Sequence, residues 1–332
     1  MRRRDNATVD PDARTQDIEL SYCVVCTAKR ELLLRGLDAI AREREGLPFA
    51  SEVIVLDNCS GDGSAQAAGA HPAVDETIAL ARRAGKASND SLLLERARGR
   101  YALLLNEDSE LLPGATLALW QALQEHPDAA LAGARLLSPD GQAQACAWRF
   151  PTALSALASA LLLHRVLVVQ SRGERVREVD WCQSSALLVR RCAAAQVGYL
   201  DSDFFVYSDE VDFARRLRDA GWRSIYVPRA RAVHHEQLSS DARGAARRIV
   251  ELARNRDLYM RKHHSSTAAR AVRWLTAWSY ALRALAALVL PGHDARRYLM
   301  HVHATLRPDR GEGLREAAEG LNARLQEEGR LA

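Results

Sequence analysis

Short apolar runs alternate with amphipathic stretches over the first two-thirds of the chain, and that rhythm predicts the fold. Leu20–Cys26 reads as a strand, Glu31–Arg44 as a helix with leucines at 32, 33, 34 and 37, and Glu52–Leu56 as a second strand ending at Asp57. Gly63-Ser64 opens a small-residue helix over Ala65–Ala70, and a short strand falls near Thr77–Leu80. A helix over Asp90–Ala97 then leads through Gly99 into the wholly apolar strand Tyr101–Leu105. Strands alternating with helices predict an α/β fold, a mainly parallel sheet flanked by helices on both faces. Ala130–Leu137 and Trp148–Pro151 read as strand and loop, Ser184–Val189 as a strand, and Asp209–Ala220 as a helix stopped by Gly221. Ser224–Val227 is a strand ended by Pro228. From about Ser239 the pattern is helical and arginine-rich, with no further strand.

The expected organisation is a disordered leader over 1–17, an α/β domain over 18–240 and a helical C-terminal region over 241–332. The leader lacks the apolar core of a signal peptide, and no run reaches the ~18 apolar residues of a spanning helix. A net charge of +4 in 332 residues is mild and does not point to nucleic acid. The six cysteines are scattered. Cys23 and Cys26 form a C-x-x-C inside a strand, where residues three apart face opposite sides, so free thiols of a reducing cytoplasm are expected.

The chemistry gathers just after the strands, where open parallel sheets bind ligands. Leu103-Leu104-Leu105 ends in Asn106-Glu107-Asp108-Ser109, placing oxygen ligands suited to a hard divalent ion and its phosphates. Taken alone, Asp108 is equally a cap for the helix that follows. Asp57 begins the acidic turn Asp57-Asn58-Cys59-Ser60-Gly61-Asp62-Gly63-Ser64. Its carboxylate suits a uracil or thymine N–H or a ribose, or else an Asx turn. Gly85-Lys86-Ala87-Ser88-Asn89 offers small residues and one cation to a diphosphate.

Together the motifs resemble family 2 glycosyltransferases of the GT-A fold, in particular their rhamnosyltransferase-like branch. The matching pieces run from about Ser21 to His235: Val55-Leu56-Asp57-Asn58, the strand ending in Asn106-x-Asp108-Ser109, Arg190-Arg191, and Val197-Gly198-x-x-Asp201. Phe204-Phe205-x-Tyr207, Asp209-Glu210-Val211-Asp212, Ala220-Gly221-Trp222 and Val227-Pro228 leading to His234 complete the series. The resemblance implies that Asp57 contacts the nucleotide base and that Asn106–Asp108 replaces an Asp-x-Asp motif. Asp108 would then hold Mg2+ or Mn2+, and His234 would complete the metal and diphosphate site, with His235 a weaker substitute. Thr27 and Lys86 join Asp57, Asn106 and Asp108 on the donor side.

The family's general base lies in a Glu-Asp-x-Asp motif opening a helix. Here the first two acids are reversed, so register makes Glu210 the base and reach would make it Asp209. Two further departures bear on the site. Cys26-Thr27-Ala28-Lys29-Arg30 lacks the family's usual tyrosine-asparagine, and Gln183-Ser184-Ser185 stands where a glycine is usual.

The implied activity is inverting, metal-dependent transfer from a UDP- or dTDP-sugar to a lipid-linked or polymeric cell-surface glycan, a polyprenyl-linked one included. A carboxylate would take the acceptor's proton while metal and basic groups neutralise the departing diphosphate. Leu154–Val169, apolar but broken by His164 and Arg165, is either a helix over the sheet or part of an acceptor wall. In the C-terminal region, Arg254-Asn255-Arg256 and Lys262-His263-His264 resemble a family segment whose basic residues face the phosphates. Trp274, Leu275, Trp278, Leu282, Leu285 and Val289 recur at helical spacing beside Arg270, Arg273 and Arg283. This arm is expected mainly to pack on the catalytic domain, with peripheral membrane contact as an addition at the inner face of the plasma membrane. The alternatives are a nucleotidyltransferase and a degenerate glycosyltransferase acting as a glycan-binding or scaffold protein.

Overall fold

The computed structural model describes residues 18–235, 242–290 and 292–329. The leader and the boundary expected near 240 lie outside these residues. The chain begins β1 (Leu20–Cys26), α1 (Arg30–Glu45), β2 (Ser51–Asp57), α2 (Ser64–Gly69), β3 (Glu76–Ala79), α3 (Lys86–Arg96) and β4 (Tyr101–Asn106). It continues β5 (Ser109–Leu111), α4 (Ala115–Glu125), β6 (Ala129–Leu137), β7 (Ala147–Trp148), α5 (Ala153–Ala160), α6 (His164–Leu167), β8 (Arg177–Val179) and β9 (Trp181–Cys182). Then come β10 (Ala186–Arg190), α7 (Arg191–Gln196), α8 (Asp209–Asp219) and β11 (Arg223–His234). Four helices close the chain: α9 (Ala242–His263), α10 (Ser266–Ala286), α11 (Ala295–Leu306) and α12 (Leu314–Glu327).

The main sheet is ordered β3-β2-β1-β4-β10-β6-β11-β5, with β8 also on β11, while β7 and β9 form a separate ribbon. β3, β2, β1 and β4 are parallel, and β10 enters antiparallel between β4 and β6. Every residue of β1 and β10 is buried, because helices cover both faces. The α1 stripe Leu32, Leu33, Leu37 and Ile40 supplies part of that cover. Gly99 lets the chain return beside β1, since a Cβ there would lie 2.6 Å from the Ser21 nitrogen.

Two expectations change. β11 does not stop at Pro228 but continues to His234. Its pairing with β6 shifts register between Val227 and Arg231, so the missing N–H of Pro228 falls where the ladder is already interrupted. α3 begins at Lys86 rather than Asp90, which puts the cation on a helix start instead of in a loop. All six cysteines are free.

α10 divides into two faces. Ala269, Val272, Ala277, Ser279 and Ala284 are buried, and the Ser279 hydroxyl donates to the Ser159 carbonyl at 3.0 Å, tying α10 to α5. Trp274 and Trp278 on the other face are 65% and 59% exposed. Among the described residues, no helix is long and apolar enough to cross a membrane.

Candidate active site

The chain winds outward from β1 to β3 and then crosses back to β4 on the other side of β1. That reversal leaves a crevice beyond the carboxyl ends of β1 and β4. A cavity of about 730 Å³ opens there, and Thr27, Lys29, Lys86, Asn106 and Asp108 are among its walls. Glu107, the unassigned middle residue of the motif, shapes it. Its Oε2 accepts the backbone N–H groups of Thr27 and Ala28, and so ties the loop after β1 to the end of β4.

Asp108 is buried, with Oδ2 2.7 Å from the Lys29 ammonium and Oδ1 3.4 Å from His234 Nε2. Burial works against its charge, but hydrogen bonding and charge from His234 and Lys29 hold the carboxyl well below the usual range. Asn106 and Ser185, two departures from the family pattern, are partners. The Asn106 and Gln183 amides each donate to Ser185 Oγ at 3.0 Å, and Ser185 Oγ lies 3.2 Å from His234 Nε2. His234 Nε2 thus lies within reach of both the Ser185 hydroxyl and the Asp108 carboxylate.

This donor set fits a divalent ion that brings further ligands with it. The His234 ring nitrogen and the Asp108 carboxylate oxygen, 3.4 Å apart, are close enough for one ion to draw on both. Among the described residues, no three His, Cys, Asp or Glu side chains gather to hold a metal by themselves. Phosphate oxygens and water would complete the shell, the usual arrangement for Mg2+ in nucleotide sites. The Lys29 ammonium now neutralises Asp108 and would have to share it.

Lys86 pairs with Asp90 one helical turn on. Burial disfavours its charge, yet the neighbouring acids, Asp90 first among them, outweigh that and raise its pKa. The small residue before it serves the protein's own backbone. A Cβ at Gly85 would lie 2.7 Å from the Phe205 carbonyl, to which the Lys86 N–H donates at 2.6 Å. Asp57 forms the Asx turn: Oδ2 accepts the Ser60 N–H at 3.1 Å, and the buried Oδ1 has no hydrogen-bond partner. Asn58, not Asp57, lines the cavity, and it exchanges two hydrogen bonds with Ala84.

Arg83 carries no signal in the sequence. Its guanidinium donates to the carbonyls of Thr27, Asn58 and Cys59, while its backbone is clasped in both directions by Asn322 of α12. Leu314, Ala317 and Leu321 of α12 also wall the cavity.

The acids of α8 separate sharply. Tyr207 and Ser208 both take positive φ, 68° and 62°, and aim the helix start. Asp209 is fully buried, and neither carboxylate oxygen has a hydrogen-bond partner. Burial and then the neighbouring Glu210 push its pKa well above the usual range. Glu210 instead lines a second cavity of about 420 Å³, which shares Tyr207 with the first. Burial keeps the Tyr207 phenol protonated, with its pKa pushed up to about 12. Asp212 is locked by Arg216 at 2.7 Å, Lys262 at 2.8 Å and His263 at 2.7 Å, which fixes the phase of α8. The C-terminal basic segment is therefore placed differently from expectation. Lys262 and His263 hold Asp212, and Arg254 pairs with Glu316 of α12 at 2.6 Å. Arg247 and Arg248, earlier on α9, reach the first cavity. Arg190 and Arg191 are clamps on backbone carbonyls, not site residues.

The architecture is that of GT-A glycosyltransferases. The mannosyltransferase PcManGT from Pyrobaculum calidifontis, in complex with GDP-Man and Mn2+, shares it with a TM-score of 0.54 at 17% identity, over 94% of this chain and 87% of that one. S. aureus TarS shares it with a TM-score of 0.52 at 11% identity, over 88% and 81%. The sequence profile of glycosyl transferase family 2 matches residues 21–145. An N-acetylglucosaminyl-diphospho-decaprenol L-rhamnosyltransferase of Mycobacterium tuberculosis (strain H37Rv) is 31% identical over 256 residues, covering 70% of this chain and 81% of the relative. Rhamnosyltransferase WbbL of Escherichia coli (strain K12) is 40% identical over 57 residues, 17% of this chain and 22% of that protein. The chain belongs to glycosyl transferase family 2 and is a glycosyltransferase. The nucleotidyltransferase alternative falls with that finding.

Proposed function

We propose that this enzyme transfers a sugar, with inversion and with a divalent metal, from a UDP- or dTDP-sugar to a polyprenyl-diphosphate-linked glycan. The similarity to rhamnosyltransferases makes rhamnose the first sugar to test. The observation that carries the reading is the meeting of cavities at Tyr207: Asp108 lines the first, Asp108 and His234 line a smaller one beside it, and Glu210 lines the second.

In this reading Asp57 and Asn58 hold the base end of the donor, while Thr27, Lys86 and Asn106 frame its diphosphate. Asp108 and His234 would hold Mg2+ or Mn2+, which supplies charge neutralisation for the leaving diphosphate. Glu210 accepts the proton of the attacking hydroxyl from the acceptor side, and Tyr207 closes the junction against water. One displacement across that junction inverts the anomeric carbon, and no second nucleophile is needed. Asp209, buried and held protonated, supports the helix start. The exposed tryptophans of α10 favour contact with a lipid surface, which flotation with anionic vesicles at rising salt would test.

The deciding experiment incubates the protein with a panel of UDP- and dTDP-sugars, Mn2+ and N-acetylglucosaminyl diphosphate on a short polyprenyl carrier. Transfer from one donor, with an inverted anomeric centre in the product, is expected. Retention of configuration overturns the single displacement. Absence of both transfer and donor hydrolysis across the panel favours a glycan-binding protein that has lost its chemistry.

A further inference from the structure

The second cavity holds more than Glu210. Arg256 of α9 and Arg283 of α10 also line it, and among the described residues neither has a carboxylate partner. Their neighbours on the same helices are neutralised: Arg247 by Glu312, Arg254 by Glu316, and Arg261 and Arg273 by Asp257. Arg283 lies only over the ring of Tyr280, at 5.6 Å. The positive potential registers on nearby imidazoles. Burial and then the charges of Arg256, Arg297 and Arg283 hold His301 down at about 4, and His164, in the cavity wall, is lowered in the same way. Half-buried cations left without an anion mark a place for one.

The two helices that wall this cavity, α5 and α10, also carry exposed apolar side chains. Leu154, Leu157, Leu161 and Leu162, on and after α5, are 43–76% exposed, and so are Trp274 and Trp278 of α10. Leu162 adopts φ 59°, a conformation that costs a leucine energy and a glycine none. A bulky apolar side chain kept there, exposed, points to a use for the side chain itself.

Taken with Glu210 and Tyr207 at the donor end, the cavity has a hydroxyl-accepting end and a cationic middle, between helices that carry exposed apolar side chains. We infer that it is the acceptor subsite: Arg256 and Arg283 grip the diphosphate of a lipid-linked glycan, and the hydrocarbon chain leaves over the Leu154–Leu162 ridge. This assignment deepens the transferase reading and rests on it for the identity of the acceptor, but the binding chemistry stands on the cavity alone.

The test measures binding of farnesyl diphosphate, with farnesol and UDP or dTDP as comparisons, by calorimetry on the full chain. Arg256→Gln with Arg283→Gln should raise the Kd for farnesyl diphosphate tenfold or more. Nucleotide binding should stay unchanged in that variant, because neither arginine lines the donor cavity. Leu162→Gly should weaken farnesyl diphosphate several-fold while leaving the melting temperature equal or higher. Unchanged farnesyl diphosphate affinity in the double variant overturns the proposal, as does complete displacement of farnesyl diphosphate by the nucleotide. If Leu162→Gly loosens adhesion to phosphatidylglycerol vesicles but not farnesyl diphosphate, the ridge meets the bilayer and the assigned lipid path is wrong. A parent protein that binds farnesyl diphosphate but neither UDP nor dTDP would sink the donor reading while leaving this subsite standing.

Discussion

Asp108 and Asp209 are both buried acids, yet their surroundings drive them in opposite directions. Asp108 faces Lys29 and His234 and is held ionised. Asp209 faces no donor, lies beside Glu210, and is held protonated. Environment rather than residue type thus assigns the roles, as it does wherever paired acids divide labour. Asp108 keeps its charge in the wall of the first cavity, paired with Lys29. Asp209 is withdrawn into the protein and leaves Glu210 as the α8 acid that lines the second cavity.

The comparison breaks most decisively at Asp108. Asp108→Asn should remove nearly all metal-dependent transfer, because the amide keeps the shape but loses the charge. It should also cost roughly 2–4 kcal/mol of stability by leaving the Lys29 ammonium without its buried partner. Turnover at the parent's rate under limiting Mn2+ or Mg2+ would refute the assignment. The next largest effect belongs to Glu210→Gln, expected to cut transfer by about two orders of magnitude or more while sparing donor binding. Asp209→Asn, which replaces a neutral acid by a neutral amide, should change the rate far less. The opposite ranking of those two rates would make Asp209 the base.

A smaller effect is expected where the C-terminal helix reaches the donor loop. Asn322→Ala removes both bonds that α12 makes to the Arg83 backbone, and should weaken UDP or dTDP binding by about 1 kcal/mol, some fivefold, without altering acceptor affinity. Equal nucleotide affinity in calorimetry would show that α12 merely covers the cavity.

That contact spans 239 positions, and the distance explains what the sequence left hidden. Asp108 is legible as a cavity residue because it ends an apolar run, a local signal; the same signal picks out Asp57, but it is the next residue, Asn58, that lines the cavity. The α8 acids were legible because a helix start follows an aromatic turn. Arg83 carried no local mark, since its meaning lies in three carbonyls gathered from two loops. Asn106 and Ser185 each looked like a loss of motif when read singly. Only the fold shows that one donates to the other and that both serve His234. The reading of Pro228 as a strand end failed for a related reason: a register shift that tolerates proline depends on the neighbouring strand. The smallness of Gly85 is plain in the sequence, but the backbone that crowds it, at Phe205, lies far along the chain.

The subtlest expected effect is in the pH dependence of stability. In the folded protein Asp209 has a raised pKa, so below the ordinary carboxylate range, near 4, both folded and unfolded chains carry its proton and it contributes nothing. As pH rises through that range the unfolded chain releases the proton while the folded one keeps it, and folding loses stability until the raised pKa is passed. Asn cannot ionise. Asp209→Asn should therefore melt with the parent near pH 4 and above it at neutral pH, by about 1 kcal/mol or more. For Asp108 the sign reverses: its depressed pKa makes the parent more stable than Asp108→Asn at neutral pH, and the gap should close only as acid protonates Asp108. Glu210→Gln sharpens the case further, because removing that neighbouring charge lowers the Asp209 pKa and should shrink the gain from Asp209→Asn measured in its background. Burial alone would leave the gain intact. Melting curves of the four proteins across pH 4–8 therefore separate desolvation from the Glu210 charge as the cause of a neutral Asp209.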